Sequence, residues 1–517
     1  MESKRVFVIG LDGATFDLID PWVSEGRLPN LKRMLDKSTY GRLESTIPPI
    51  TPPAWTSFMT GVNPGKHGVW DFFTLEPNSF KKALVNSSNV RSKRFWDLAG
   101  ERGKKNIILY VPFTYPPQKI EGAMVSGFPA PYLGEYVYPK EMKKELEEKL
   151  GKWWVKVDVD KYSDSKEEAF LEEIYQSLEA RYRVADYLMK KEWDLFVFVI
   201  METDWVQHVF WDKKDQYVLP LYLKIDGIIG HLAESLKEED AILILSDHGF
   251  GPVRKTFYLN SWLREKGFLA SKRQWGYSRE NLDEGFFRRR KGSSWVKKIR
   301  WALSKRNTGI DWNKTQAYFN NTGSTYGARI NLMGREPEGI VKLEEYDEVR
   351  NRVIAKLNSA TDEQDGKKVM ERIFRREDVY SGPYMKDAPD IIFIPHWEYT
   401  LNGLIKDEIF KKSRGGRSFH RLDGILILNG PGIKNGRKIE GAHIMDVAPT
   451  ILHLLGLPVP ESFDGRVLTE ALEPEVLKAN PIRHEDIPLN AEVAGFAMTE
   501  TEEEEIRKKL KGLGYIE

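Results

Sequence analysis

Short apolar runs, rich in β-branched and aromatic residues, alternate with helical patterns along this chain of 517 residues. Such runs are typical of strands that are buried on both faces of a parallel sheet. The predicted strands are residues 5–10, 106–111, 194–200, 241–246, 390–395 and 424–428, with helical patterns such as 166–190 and 219–236 between them. This alternation predicts an α/β fold, a doubly wound and mostly parallel sheet with helices on both faces.

The even spacing of strands stops after Asp247, where the sequence becomes aromatic, charged and irregular. We therefore expect a core that is interrupted by an inserted cap, with a smaller insertion at residues 112–165. The predicted division is 1–254 and 385–475 for the core, 255–384 for the cap and 476–517 for a C-terminal tail. The tail ends in a charged helix, whose acidic run 502–505 suits a solvated helix N-terminus.

Composition excludes several classes of protein. The chain carries 78 Lys and Arg against 77 Asp and Glu, a formal net charge of +1, so any binding of polyanions must be local. Its 41% hydrophobic and 30% charged residues are typical of a soluble globular protein. The absence of cysteine excludes disulfides, cysteine-ligated zinc, iron–sulfur clusters and cysteine nucleophiles, including a sulfatase that makes its aldehyde from cysteine.

The N-terminal apolar run is interrupted by Asp12 and is too short for the hydrophobic region of a signal peptide. Nowhere does the chain approach the roughly 18–20 consecutive apolar residues of a membrane-spanning helix. We therefore expect a cytoplasmic protein.

Side chains that bind metals follow several of the predicted strands. In an open α/β sheet, ligands bind beyond the carboxyl ends of the strands. A helix that begins after residue 200 would place Asp204 and His208, four residues apart, on one face. Gly249 allows the turn that the pair Asp247 and His248 needs if both side chains are to converge. The candidate residues at this edge are Asp12, Asp204, His208, Asp247, His248 and His420.

Three carboxylates and three imidazoles suit zinc, manganese or iron better than calcium. Six ligands are too many for one tetrahedral ion, whereas two ions roughly 3.5–4 Å apart would use them well. That arrangement is the two-metal clamp for in-line displacement at phosphorus. Taken alone, each piece is also explained by an ordinary turn or a surface pair. Their joint position at strand ends favours a metal site.

Residues 46–61 offer an attacking hydroxyl for such a site. The prolines force an extended approach, and Pro52 or Pro53 suits the first turn of a short helix that ends at Gly61. Thr51 would then lie at the helix N-terminus, where free N–H groups and the helix dipole favour a phosphate and a developing alkoxide. The alternatives are that Thr51 only caps the helix, or that the nucleophile is Thr46, Thr56 or Ser57.

Together these residues resemble the alkaline phosphatase superfamily. The chain is most similar to the nucleotide pyrophosphatase/phosphodiesterase branch and, within it, to a microbial group described as predicted phosphohydrolases or phosphomutases. The resemblance covers roughly residues 5–250 and 385–470. It rests on Asp12, the segment around Thr51, the stretch 60–68, Asp204 with His208, residues 247–249, His420 and the segment 446–458.

The resemblance implies an alkaline-phosphatase-like fold with two divalent ions, zinc in the first place and manganese as the alternative. It implies that Thr51 is the nucleophile and assigns the ligands. The first ion takes Asp12, Thr51, Asp247 and His248; the second takes Asp204, His208 and His420. The branch usually has an asparagine three residues after the nucleophile, where this chain has Ala54, so nucleotide pyrophosphatase activity is in doubt. His67 matches a histidine of the family and is interpreted as structural.

Residues 288–306 carry nine Lys and Arg and no acidic residue, with apolar residues at helical spacing. This pattern predicts an amphipathic helix with a basic face. The helix is either packed on the cap and solvated, or a surface for an anionic membrane or an anionic substrate. Because no nucleic-acid fold signature accompanies it, no specific nucleic-acid recognition is predicted.

The sequence therefore predicts a metal-dependent phosphohydrolase that acts on phosphodiesters or phosphomonoesters through a phosphothreonine at Thr51. One alternative is a phosphomutase, which would return the phosphoryl group to the substrate instead of passing it to water. The other is a non-catalytic binding module on the same fold, which has no need for a complete ligand set and a nucleophile.

Overall fold

The computed structural model describes residues 5–76, 79–155, 157, 167–272, 309–319, 326–413, 418–491 and 496–512. The basic segment 288–306, with its predicted helix and membrane-facing role, lies outside these ranges. Within them, none of the helices is both long and apolar enough to span a membrane. The cytoplasmic location stays a prediction.

Nine strands form the central sheet. From edge to edge they are Arg437–His443, Thr39–Glu44, Asp423–Asn429, Ala241–Leu245, Val6–Leu11, Leu195–Ile200, Asn106–Leu109, Gly122–Val125 and Val137–Tyr138. Neighbours from Ala241–Leu245 to Gly122–Val125 pair in parallel. Asp423–Asn429 runs antiparallel to both of its neighbours, so the expectation of a parallel strand at 424–428 was wrong. Val137–Tyr138 is antiparallel to its one neighbour, Gly122–Val125. The predicted mostly parallel sheet is confirmed.

Helices cover both faces of this sheet, which explains why its central strands are apolar throughout. Because successive side chains of a strand point to opposite faces, Phe7 and Ile9 enter one buried cluster while Val6 and Val8 enter another. The first cluster includes residues of the helices Phe16–Ser24, Pro29–Asp36, Glu167–Met189 and Leu219–Glu234. The second includes residues of Thr51–Thr60, Phe95–Glu101 and Val447–Leu454.

The predicted strand 390–395 belongs to a different sheet. Ile391–Pro395 pairs antiparallel with Gly327–Ile330 and Met370–Arg375, and Ala317–Phe319 completes four strands. The prediction of a parallel strand was wrong here, because a short apolar run buried on both faces has the same composition in either kind of sheet. This sheet joins strands on both sides of residue 385, and the predicted domain boundaries stay a prediction.

The described residues of 255–412 form an inserted region between the central-sheet strands Ala241–Leu245 and Asp423–Asn429, and they have a hydrophobic core of their own. Around it lie the strands Lys255–Tyr258, Tyr399–Asn402 and Phe410–Lys412, which form a three-stranded sheet, and the helices Leu259–Glu265 and Tyr346–Asn358. Ile50, which directly precedes the helix Thr51–Thr60, is fully buried in this same core. The hydroxyl of Tyr380 donates to the backbone carbonyl of Ile47. The loop before that helix therefore contacts the inserted region as well as the central core.

The C-terminal helix Glu500–Gly512 packs on the central core through Ile506 and Leu510, both buried. Glu502 accepts a hydrogen bond from the hydroxyl of Tyr115, and Glu505 accepts one from the backbone N–H of Tyr132 at 2.8 Å. The predicted helix is present. The interpretation of its acidic run as merely solvated was wrong for these two glutamates, because the helix lies against the segment that follows Asn106–Leu109.

Candidate active site

The strands Val6–Leu11, Leu195–Ile200 and Ala241–Leu245 are in register side by side, so their carboxyl ends meet at one edge of the sheet. The structure brings all seven predicted site residues together at this edge. They are Asp12, Thr51, Asp204, His208, Asp247, His248 and His420, and their side chains contact one another in two groups. Except for His208, whose side chain is 9% exposed, all are buried.

The first group is built on the helix Glu202–Phe210, which places Asp204 and His208 one turn apart. Asp204 Oδ1 lies 3.3 Å from His208 Nε2 and 3.3 Å from His420 Nε2, and the two Nε2 atoms are 3.0 Å apart. Ligands of a tetrahedral zinc ion, each about 2.0–2.1 Å from the metal, lie roughly 3.3 Å from one another. The spacing of these three atoms therefore fits one ion of that size.

The second group surrounds His248 Nε2. That nitrogen lies 3.2 Å from Asp247 Oδ2, 3.5 Å from Asp12 Oδ1 and 3.5 Å from Thr51 Oγ1. Within the described ranges, neither Asp12 Oδ1 nor Asp247 Oδ2 receives a hydrogen bond from an N–H or O–H group, although both atoms are buried. Buried carboxylate oxygens that lack donors fit a bound cation.

Backbone carbonyl groups orient one imidazole in each group, those of His248 and His420. His248 Nδ1 lies 3.0 Å from the carbonyl oxygen of Gly249, and His420 Nδ1 lies 3.2 Å from that of Pro49. A carbonyl can only accept a hydrogen bond, so Nδ1 carries the hydrogen and Nε2 keeps its lone pair. The two rings stack with centroids 3.7 Å apart. Both Nε2 atoms are thus available as ligands.

The other oxygens of two carboxylates are held by the protein. Asp247 Oδ1 accepts the backbone N–H of Gly13 at 3.2 Å, and Gly13 has a φ of 68°, a region that favours glycine. Asp12 Oδ2 accepts the indole N–H of Trp55 at 2.7 Å. Sequence reasoning missed Trp55, because no spacing rule connects an indole to a ligand 43 residues earlier. The only hint of its role in the sequence is its position in residues 46–61, the segment that contains the candidate nucleophile Thr51.

Burial dominates the electrostatics of the site. It raises the pKa of Asp12 and Asp247 well above the usual range, and neighbouring carboxylates raise both further. Burial lowers the pKa of His420 to about 4 and that of His248 well below its ordinary value, so both rings are neutral near pH 7. Burial alone would raise the pKa of Asp204, but the imidazole of His208 beside it holds that pKa below its usual range. A cation would relieve the crowding of these carboxylates.

Thr51 is the first residue of the helix Thr51–Thr60, as the sequence predicts, and its side chain is fully buried. The expected row of free N–H groups is wrong. Pro52 and Pro53 have no N–H, and the N–H of Ala54 already donates to the carbonyl of Ile50 at 3.1 Å. Of the first four backbone positions, only Thr51 therefore has an N–H that could be offered to a phosphate.

The competing hydroxyls of this segment are engaged elsewhere. Thr46 Oγ1 donates to the carbonyl of Pro48 at 2.8 Å, and Thr56 Oγ1 donates to that of Pro52 at 2.7 Å. Only Thr51 has its hydroxyl beside the Asp and His group among the described Thr and Ser residues of 46–61. This supports Thr51 as the candidate nucleophile.

His67 binds the hydroxyl of Ser57, the third of the competing candidates. Its Nδ1 accepts the backbone N–H of Val69 at 3.1 Å, so its Nε2 carries the hydrogen and donates to Ser57 Oγ at 3.0 Å. Burial lowers the pKa of His67 to about 3, which keeps the ring neutral. These bonds lie inside the fold and support the structural interpretation of this histidine.

The sequence profile of the type I phosphodiesterase / nucleotide pyrophosphatase family matches residues 6–420. The chain belongs to this family. It is accordingly a phosphoester hydrolase of the alkaline phosphatase superfamily, and metal dependence is typical of type I phosphodiesterases and nucleotide pyrophosphatases. No curated protein matches the chain significantly by sequence.

Solved structures show the same fold at low identity. Human ectonucleotide pyrophosphatase / phosphodiesterase 5 is 13% identical, with a TM-score of 0.52 over 90% of this chain and 99% of that one. Phosphonoacetate hydrolase from Sinorhizobium meliloti 1021, in complex with phosphonoacetate, is 14% identical, with a TM-score of 0.52 over 86% and 94%. A mutant of the alkaline phosphatase PafA is 15% identical, with a TM-score of 0.56 over 91% and 99%. The alkaline-phosphatase-like fold is confirmed.

Proposed function

We propose that this family member is a two-metal phosphohydrolase that acts on phosphodiesters or phosphomonoesters through a phosphothreonine at Thr51. The observation that carries the proposal is the convergence of one threonine hydroxyl with six Asp and His side chains at a single sheet edge. His248 Nε2, at 3.5 Å from Thr51 Oγ1, joins the hydroxyl to the metal-binding group.

The donor atoms divide between two ions. The first ion would be held by Asp12, Thr51, Asp247 and His248, and the second by Asp204, His208 and His420. Imidazole and carboxylate donors at these spacings favour zinc, with manganese as the alternative. Two bound divalent ions would supply Lewis-acid charge that stabilises the attacking and leaving oxygens.

The chain itself supplies the nucleophile and its orientation. Thr51 Oγ1 gives its proton to solvent and attacks phosphorus; the new P–O bond forms as the bond to the leaving oxygen breaks, and the leaving oxygen departs with that electron pair and takes a proton from solvent. In the second half, a water molecule gives a proton to solvent and its oxygen attacks phosphorus; the P–Oγ1 bond breaks, Oγ1 takes a proton from solvent, and phosphate or a phosphomonoester is released. The bond between His420 Nδ1 and the carbonyl of Pro49 ties the loop before Thr51 to the second group.

Ala54 bears on the choice of substrate. It stands three residues after Thr51 and has no side-chain amide that could bind a phosphate oxygen. The nucleotide pyrophosphatase/phosphodiesterase branch usually has an asparagine at this position. We therefore propose that phosphate monoesters and diesters are better substrates than nucleotide pyrophosphates.

A metal and substrate screen tests this proposal. Protein stripped of metal is loaded with zinc or manganese and assayed with aryl phosphate monoesters and diesters. We expect elemental analysis to find two ions per chain and at least one ester class to be turned over only by the loaded protein. One ion or none after saturation, or turnover that persists in excess chelator, would refute the two-metal site.

A phosphomutase is the second candidate. The observation in its favour is the complete burial of Thr51 and His248, because a site that excludes water protects a phosphothreonine from hydrolysis. Reaction in ¹⁸O-labelled water separates the two functions. Hydrolysis places the label in the released phosphate, whereas mutase turnover leaves the phosphoryl group unlabelled.

A further inference from the structure

The indole of Trp55 contacts a proposed metal ligand through the oxygen that is not turned to the ion. Trp55 Nε1 donates to Asp12 Oδ2 at 2.7 Å, while Asp12 Oδ1 lies 3.5 Å from His248 Nε2. Both Trp55 and Asp12 are fully buried. The two oxygens of one carboxylate thus have different partners, and the indole determines which oxygen faces the metal-binding group.

The indole itself is held in one orientation. Trp55 lies on the helix Thr51–Thr60, one turn after the nucleophile. Its ring packs so closely on the first strand that a Cβ at Gly10 would lie 2.4 Å from Trp55 Cη2. The ring of Phe58 meets it edge-on with centroids 5.2 Å apart. Glycine at position 10 is therefore needed for this approach, and one helix holds both Thr51 and the donor to Asp12.

We propose that Trp55 is a positioning residue that orients Asp12 for the first metal ion, an inference that rests on the proposed function. Without the indole N–H, the carboxylate can rotate about its Cβ–Cγ bond, and Oδ2 is left buried without a donor. Hydrogen-bond partners of metal ligands fix ligand orientation, and their loss typically lowers metal affinity by about 10–100-fold. We expect a loss of that size at one ion site only.

Trp55→Phe is the test variant, because it keeps an aromatic ring and removes the N–H. Trp96→Phe is the matched control. Trp96 is also fully buried, belongs to the same hydrophobic cluster, and its Nε1 has no hydrogen-bond partner among the described residues. Metal-free proteins are titrated with zinc against a fluorescent chelator. Trp55→Phe should weaken one of the two ions by about 10–100-fold, and Trp96→Phe should leave both unchanged.

A second readout separates orientation of Asp12 from loss of packing. In an Asp12→Ala background, Trp55→Phe should cause no further loss of metal affinity, since its effect passes through that carboxylate. If Trp55→Phe lowers the stability of the metal-free protein, the zinc-induced rise in Tm is compared instead. It should shrink in Trp55→Phe and stay unchanged in Trp96→Phe.

The outcomes are distinct for the two proposals. A wild-type protein that binds fewer than two ions refutes the two-metal function and leaves nothing for Trp55 to position. A wild-type protein that binds two ions, with Trp55→Phe binding both as tightly, overturns only the role of Trp55. Equal losses in Trp55→Phe and Trp96→Phe, or an added loss in the Asp12→Ala background, would show a packing effect and also overturn it.

Discussion

Replacing Thr51 by alanine should abolish turnover while leaving the fold and most metal binding intact. Thr51 is one of four proposed ligands of the first ion but supplies the only attacking oxygen. Removal of a nucleophile from a catalytic unit costs on the order of a millionfold in kcat. The structural cost is small, because the contact of Oγ1 with His248 Nε2 is long at 3.5 Å and a buried methyl contributes about 0.8 kcal/mol. Tm should therefore fall by only a few degrees.

Thr56→Ala is the matched control, because Thr56 is equally buried on the same helix but its hydroxyl bonds the carbonyl of Pro52. It should remain active, and Thr51→Ser should keep appreciable activity because it retains the hydroxyl. The assay is turnover of a phosphate ester by metal-loaded protein, with mass spectrometry of phosphoenzyme trapped by rapid acid quench. Full activity in Thr51→Ala, or phosphate found on Thr46, Thr56 or Ser57, would refute the assignment.

Three further predictions concern the second metal ion, the pH dependence of the first, and the basic segment 288–306. His420→Ala should weaken the second ion, because that ion loses one of its three proposed ligands. Two tightly bound ions in this variant, by elemental analysis, would contradict the grouping. Affinity for the first ion should fall as pH falls, starting above the usual carboxylate range. The reason is that the raised pKa of Asp12 and Asp247 lets protons compete with the metal for these carboxylates. Zinc titrations at several pH values measure this, and a pH-independent affinity would contradict it. If residues 288–306 form a surface for anionic membranes rather than a solvated helix on the cap, vesicle binding should rise with the anionic fraction and weaken with salt. Equal binding to neutral and anionic vesicles would leave only the structural role.

Much of the fold and the position of the site could be predicted from residue pattern alone. Parallel strands covered on both faces must be apolar throughout, so 5–10, 194–200 and 241–246 stand out, and polar residues directly after them mark the binding edge. The same reasoning fails for 390–395, since an apolar run does not reveal which sheet receives it.

Other features depend on contacts between distant parts of the chain. The hydrogen bonds that Asp12 accepts from Trp55, Glu502 from Tyr115 and Glu505 from Tyr132 could not be predicted from spacing. The missing N–H groups after Thr51 are a different case. Two prolines follow it directly in the sequence, and because proline has no N–H, the residue types themselves rule out a row of donors at that helix terminus.

The burial of Ile50 in the core of the inserted region has a consequence for engineering. A chimaera that takes its insertion from another family member, while keeping this chain's own catalytic loop, would pack a foreign surface against the residue next to Thr51. The hydrogen bond from Tyr380 to Ile47 would be lost in the same exchange. The insertion and the catalytic loop are therefore packed as one unit, and a graft of the insertion has to carry residues 46–50 with it.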